Sequence, residues 1–260
     1  EKLPRLHPSP ARRKIRIEKD QFRKTLLIKG SVNYYGKIRS QAARYLDLAA
    51  RSGIGLSGER RLIDIPPAAD QKARALLAEA GIEALPLVAF APGARWPAKQ
   101  WPGEYFADLV SAIAARGFGC VMTGNDRERA LCETIRSRAA RSLNAAGNLS
   151  IMESAALLGR CRLLVTNDSA PLHLAEAAGT PVVAFFGPTV SEFGFFPGLP
   201  ESRVMERDLA CRPCSRNGSS ECRYGSRECL VSIKPDEAFE AVLEILGREP
   251  ASPGRPERKA

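Results

Sequence analysis

The chain has 260 residues, 44% of them hydrophobic and 7% aromatic, which is ample for a buried core in one large or two small domains. Its formal net charge of +10 is unevenly spread: residues 1–61 hold 16 Lys plus Arg against 5 Asp plus Glu, and the remainder is close to neutral. No apolar run approaches the ~20 residues of a membrane span, and the first twenty residues are charged and proline-broken rather than apolar like a signal peptide.

Residues 1–20 read as a basic disordered arm, interrupted by Pro4, Pro8 and Pro10. Such a segment suits nucleic acid, anionic lipid, an acidic glycolipid or solvent alone. Residues 25–29 read as a short strand, 38–50 as a helix and 62–65 as a second short strand before Pro66 and Pro67. A helix over 70–80 is closed by Gly81. The rhythm then becomes regular. Residues 87–91, 119–123, 163–166 and 182–186 have the length and apolar continuity of buried parallel strands. Helices over 103–115, 127–138 and 150–158, and one opening near Pro171 and ending at Ala178, lie between them. Asn148 or Ser150 caps the helix over 150–158, with Glu153 three residues after Ser150 as in a capping box. A last short strand over 204–206 and a helix over 236–246 precede a tail, 248–260, that reads as disordered. This alternation predicts an α/β fold with a Rossmann-like, doubly wound parallel sheet.

In such a sheet the loops at the carboxyl ends of the strands gather at one crevice. The first loop carries Arg95, Lys99 and both tryptophans, Trp96 and Trp101. The second carries Thr123, Gly124 and Glu128, and the third carries Asn167, Asp168, Ser169, Ala170 and His173. The helix after the third loop would turn its free N–H groups and partial positive charge toward that crevice, where they attract phosphate. Each feature has a plainer explanation. Asn167, Asp168 and Ser169 are ordinary helix caps, Lys99 alone is a surface lysine, and His173 alone is a helix-surface histidine. Together, at one sheet edge, they make a candidate anion site.

The segments Pro92-Gly93-Ala94-Arg95-Trp96-Pro97-Ala98-Lys99-Gln100-Trp101-Pro102, Thr123-Gly124, Asn167-Asp168-Ser169-Ala170-Pro171-Leu172-His173-Leu174-Ala175, Phe186-Gly187-Pro188-Thr189 and Cys211-Arg212-Pro213-Cys214 resemble, in order and spacing, the family 9 glycosyltransferases. That family includes the ADP-heptose:lipopolysaccharide heptosyltransferases, and the resembling part corresponds to the C-terminal, donor-binding half of a two-domain GT-B fold. The resemblance implies that Lys99 and Arg95 meet the diphosphate of a nucleotide sugar such as ADP-heptose. Asp168, Ser169 and the following helix start would hold its phosphates, His173 would add a donor, and Glu128 would take ribose hydroxyls. Thr123, Gly124, Asn167 and Ala170 would line the same donor site. The implied reaction is an inverting transfer to the lipopolysaccharide core or another lipid-linked acceptor, with no metal or other cofactor for catalysis. The chain has no Asp-x-Asp pair, which accords with that. A cytoplasmic enzyme is implied, peripheral at the anionic inner leaflet and without a nucleic-acid partner.

Two departures from the family stand out. Ala170 occupies a position where the family has Gly, and its methyl group narrows the approach of phosphate to the backbone. The strand and Gly-Asp turn that would supply a catalytic base do not occur in residues 1–80, so no catalytic residue is assigned. Residues 21–82 therefore read as the remnant of an acceptor domain and 83–247 as the donor domain. The chain is then a piece of a longer one or a degenerate, inactive nucleotide-sugar-binding domain.

Cys211, Cys214, Cys222 and Cys229 put four thiols into nineteen residues, a spacing that can close a structural tetrahedral zinc site. A loop of free thiols is the plainer alternative. With the basic arm, this segment raises a rival, a four-cysteine nucleic-acid-binding module. The arm has no interleaved aromatics and the cysteine segment has no recognition helix, which count against it. Cys120, Cys132 and Cys161 sit in apolar contexts and read as core.

Overall fold

The computed structural model describes residues 20–36, 38–54, 63–219 and 221–247. The expected arm, apart from Asp20, and the expected tail lie outside the described residues, as does Leu62.

The first described element is α1 (Gln21–Gly30), where the sequence predicts a strand over 25–29. A short apolar run cannot by itself separate strand from helix. Here Lys24 and Leu27 fall one turn apart on the buried side, and Thr25 Oγ1 donates to Gln21 O at 2.7 Å along the helix. α2 (Gln41–Arg51) starts where Ser40 accepts from the Ala43 amide. Residues 63–65 form no strand either: the Ile63 amide donates to Ala177 O, and Pro66 and Pro67 lead into α3 (Pro67–Glu79).

From here the elements follow the predicted alternation: β1 (Leu87–Ala91), α4 (Gly103–Ala115), β2 (Gly119–Met122), α5 (Arg129–Arg136), β3 (Ser142–Asn144), α6 (Ile151–Leu158), β4 (Leu163–Asn167), α7 (Ala170–Ala177), β5 (Val182–Phe186), β6 (Arg203–Glu206), α8 (Glu228–Val231) and α9 (Pro235–Leu246). A 3-10 turn over Asp126–Glu128 replaces the first turn of the helix expected from residue 127. The Ser150 and Glu153 capping box forms. β3 was not legible, being three half-buried residues with two polar side chains, ordered by pairing with β2.

Among the described residues six strands make one parallel sheet in the order β3-β2-β1-β4-β5-β6. The order reverses between β1 and β4, the switch point at which open α/β sheets bind ligands. Helices cover both faces. Val88, Phe90, Val165, Val183 and Phe185 point into one core with α4, α5 and α9, while Ala89, Ala91, Leu164, Ala184 and Phe186 point into the other with α3, α6 and α7. Ala69, Ala73 and Leu77 of α3 are buried in that second core, so α3 packs as part of the sheet unit although it precedes residue 83.

Candidate functional site

Parallel strands end at one edge, and the loops after β1 and β4 part there in opposite directions. Asn167, the last residue of β4, is fully buried and braces the gap. Its amide donates to Pro92 O at 2.8 Å, and its Oδ1 accepts from the Trp101 amide at 2.9 Å. Trp101 stacks on Phe185 with ring centroids 4.1 Å apart and donates through Nε1 to Ile233 O. The loop carrying Arg95 and Lys99 is thus held at both ends by buried groups. Trp96 is the other kind of tryptophan, half-buried, with the exposed Arg95 guanidinium 5.2 Å over its ring.

Lys99 crosses the switch point. Its Nζ stands 2.5 Å from Asp168 Oδ2 and 3.3 Å from Asp168 O, and its side chain is 13% exposed. Asp168 Oδ2 also accepts from Thr189 Oγ1 at 2.5 Å, so loops after β1, β4 and β5 meet on one carboxylate. The resemblance includes Thr189 in its Phe186–Thr189 segment but assigns it no role. The pairing of Asn167 with Phe185 across β4 and β5 brings its loop alongside Asp168.

The sequence reading offers Asn167, Asp168 and Ser169 as caps for α7, and the structure corrects this. Asn167 turns to the β1 loop and Asp168 to Lys99, while Ser169 occupies the N-cap position without a side-chain cap bond. The Asp168 amide is engaged by Phe185 O, so the backbone donors available to an anion begin after it. The N-cap side chain therefore makes no bond to the start of α7, and Ala170 is exposed there.

Glu128 lies on the neighbouring side. Its Oε2 accepts from the Asn125 amide at 2.8 Å, and its carboxyl group fills the space against Gly93 and Gly124. A Cβ at Gly93 would lie 2.1 Å from Glu128 Cδ, and one at Gly124 would lie 2.6 Å from Oε2. Thr123 is buried, its amide paired with Phe90 O. His173, one turn into α7, is half-buried and faces Phe195 at 6.2 Å between centroids. Lys24 of α1, unmarked in the sequence, reaches over the rings of Phe193 and Phe195. Burial, reinforced by Arg44, pushes its pKa below the ordinary lysine value.

The four cysteines Cys211, Cys214, Cys222 and Cys229 line one small cavity, with Ala98 of the Lys99 loop in its wall. Among the described residues no three His, Cys, Asp or Glu side chains already stand as a ligand set for a metal. No helix of the described residues is long and apolar enough to cross a membrane.

The arrangement is a cation held by a carboxylate beside an open helix start, a place suited to a phosphate-bearing ligand. Comparisons with known proteins agree in family and fold. Lipooligosaccharide heptosyltransferase 2 of Haemophilus influenzae is 31% identical over 188 residues, covering 68% of this chain and 51% of that protein. The structure of E. coli ADP-heptose lipopolysaccharide heptosyltransferase II aligns with a TM-score of 0.58 at 23% identity, covering 71% of this chain and 53% of that one. A family 9 glycosyl transferase from Veillonella parvula aligns with a TM-score of 0.68 at 22% identity, covering 86% and 66%. These two likenesses establish a shared GT-B-type fold. The chain spans about half the length of the heptosyltransferase 2 relatives it matches. The family model for glycosyltransferase family 9 (heptosyltransferase) matches residues 19–224, and the chain belongs to that family.

Proposed function

We propose that this chain is the donor-binding half of a heptosyltransferase. It would hold a nucleotide-diphosphate sugar, ADP-heptose above all, for inverting and metal-independent transfer to a lipopolysaccharide core acceptor. The observation that carries this reading is the Lys99–Asp168 pair set across the switch point beside the start of α7.

In an inverting displacement the acceptor hydroxyl oxygen bonds to the anomeric carbon as the bond from that carbon to the diphosphate breaks. The acceptor's proton goes to a base, and negative charge builds on the departing ADP. Lys99 and the Ser169 and Ala170 amides would meet that charge, since Pro171 has no N–H and the Leu172 amide is engaged by Ser169 O; an oriented donor set is worth most where charge develops. Asp168 and Thr189 position Lys99 rather than touching the sugar. Arg95 would reach the outer phosphate from its stack on Trp96, and Glu128 would take the ribose hydroxyls from its seat against Gly93 and Gly124. The base is not assigned in this chain.

The acceptor class is lipid-anchored, and the basic residues 1–61 suit a peripheral, cytoplasmic-side enzyme drawn to an anionic leaflet, at about 1 kcal/mol for each Lys or Arg near the surface. Flotation with anionic and neutral vesicles tests that part. For the donor site, calorimetric titration of ADP and ADP-heptose is the test. Saturable binding that weakens in Lys99→Ala supports the reading, and equal binding by the two proteins, or none by either, removes it.

A further inference from the structure

We propose that Cys211, Cys214, Cys222 and Cys229 form a tetrathiolate site for a zinc-type cation, which anchors the loop lying on Lys99. The four sulfurs come from two stretches of chain. Cys211 and Cys214 follow β6, where the guanidinium of Arg212 clamps Gly187 O at 2.5 Å and Thr189 O at 2.8 Å, and the Cys214 amide donates to Pro188 O. Cys222 and Cys229 lie before and within α8. All four line one cavity of about 30 Å³, room for a single ion or water. All seven cysteines of the chain are free thiols in the structure.

Cys222 is already seated among backbone donors: N–H groups of Arg227, Tyr224 and Gly225 direct hydrogen bonds to it. The turn that brings them round closes with the Gly225 amide on Cys222 O at 3.0 Å, and Gly225 has the positive φ of 71° that glycine adopts without strain. A divalent cation in the cavity would draw the four sulfurs together and displace the thiol protons, which pass to solvent. Loading also requires Cys214 to give up the Sγ–H bond it donates to Cys211 O, and the sulfurs to turn into the cavity.

The consequence for Lys99 follows from what lies between the cysteines. Ser215 is buried and accepts from the Gly218 amide at 2.8 Å. Gly218 presses on the Lys99 stem so closely that a Cβ there would lie 2.5 Å from Lys99 Cε. On the far side of the cavity, Arg227 donates to Pro97 O and Gln100 O, at either end of the turn that carries Lys99. Fixing the four sulfurs therefore fixes both walls of the Lys99 channel. This consequence rests on the proposed donor role of Lys99, whereas the metal site does not.

The test uses the full chain, purified reduced without chelator, with zinc measured by elemental analysis and with cobalt(II) substituted for spectroscopy. The expected result is about one ion per folded chain, and intense sulfur-to-cobalt charge transfer with tetrahedral d–d bands. Both are lost in Cys222→Ser, whose half-exposed position spares the core, and in the Cys211→Ser/Cys214→Ser double variant. A folded chain without stoichiometric metal or charge-transfer bands overturns the proposal. So does metal retained by both variants, or a disulfide within the four on mass spectrometry. The two readings fail separately. Metal bound with ADP affinity indifferent to Lys99 refutes the donor site alone, and Lys99-dependent ADP binding without metal refutes the thiolate site alone.

Discussion

Lys99 Nζ stands 2.5 Å from Asp168 Oδ2, joining the loop after β1 to the loop after β4 across the divide where the strand order reverses. Neither residue is ordinary surface: Asp168 is 7% exposed, and its carboxylate is shared with Thr189 Oγ1. A cation fixed in this way costs little to reorganise when phosphate arrives. Lys99→Ala should weaken ADP binding by roughly 10- to 100-fold, the ~1.5–3 kcal/mol of a charge-assisted hydrogen bond. Asp168→Asn keeps an acceptor for both partners and removes the charge, so its effect on ADP affinity should be several-fold smaller. Calorimetry at two salt concentrations checks both. An Asp168→Asn loss equal to that of Lys99→Ala would mean that the carboxylate itself, rather than the lysine it holds, carries the binding.

The alternation of strands and helices is readable because the central strands are apolar runs, continuous in Leu87–Ala91 and Val182–Phe186 and broken only at the end of β4 by Thr166 and Asn167. The exceptions are local and short. The 25–29 run is part of a helix, and β3 carries no signal in the sequence because Ser142 and Asn144 are polar and are strand only by pairing with Cys120 and Met122. The site was legible as a set of loops but not as a set of roles. Asn167 reads as a cap or ligand group in sequence, while the structure turns it inward. Gly218 gave no signal, since its use depends on a fold that lays it on a lysine more than a hundred residues earlier.

That inward turn of Asn167 predicts a stability effect. Replacing it with alanine leaves the buried Trp101 amide and Pro92 O without their partner. Unsatisfied buried groups cost about 1–3 kcal/mol each, so the loss of two partners in Asn167→Ala should lower unfolding free energy by roughly 2–6 kcal/mol. Urea denaturation measures it. A variant as stable as the parent yet poor at binding ADP would instead make Asn167 a ligand contact.

Arg207 and Glu237 give a pH-dependent term. The Arg207 guanidinium bonds both Glu237 oxygens and holds that carboxyl below the usual glutamate range. A depressed carboxylate contributes stability that is present above the unfolded-state value, near 4.3, and is lost as pH falls through the folded-state value. The Glu237 side chain is 41% exposed, so solvent screening limits the contribution to about 0.5 kcal/mol. Glu237→Gln should therefore be slightly less stable than the parent at pH 7 and indistinguishable from it once the pH is low enough to protonate Glu237. Urea midpoints across pH follow the difference, and a gap that widens on acidification would contradict the assignment.

Gly93 and Glu128 offer a test of the ribose contact by coupling. A Cβ at Gly93 would fall 2.1 Å from Glu128 Cδ, and the obstacle is the end of a flexible side chain rather than backbone. Gly93→Ala should therefore displace the Glu128 carboxylate while leaving the fold intact. If Glu128 binds ribose hydroxyls, Gly93→Ala and Glu128→Ala should each weaken ADP by roughly 10-fold, in keeping with a hydrogen bond to a charged group. The double variant should lose no more than Glu128→Ala alone, because residues in contact couple and the second change finds nothing left to move. Additive losses would show that Gly93 acts on the donor by another route, through the Asn167 brace that also reaches Gly93 O at 3.3 Å. Binding of ADP against 2′,3′-dideoxy-ADP in the parent closes the argument. Removing the hydroxyls should reproduce the Glu128→Ala loss in the parent and cost nothing further in the variant.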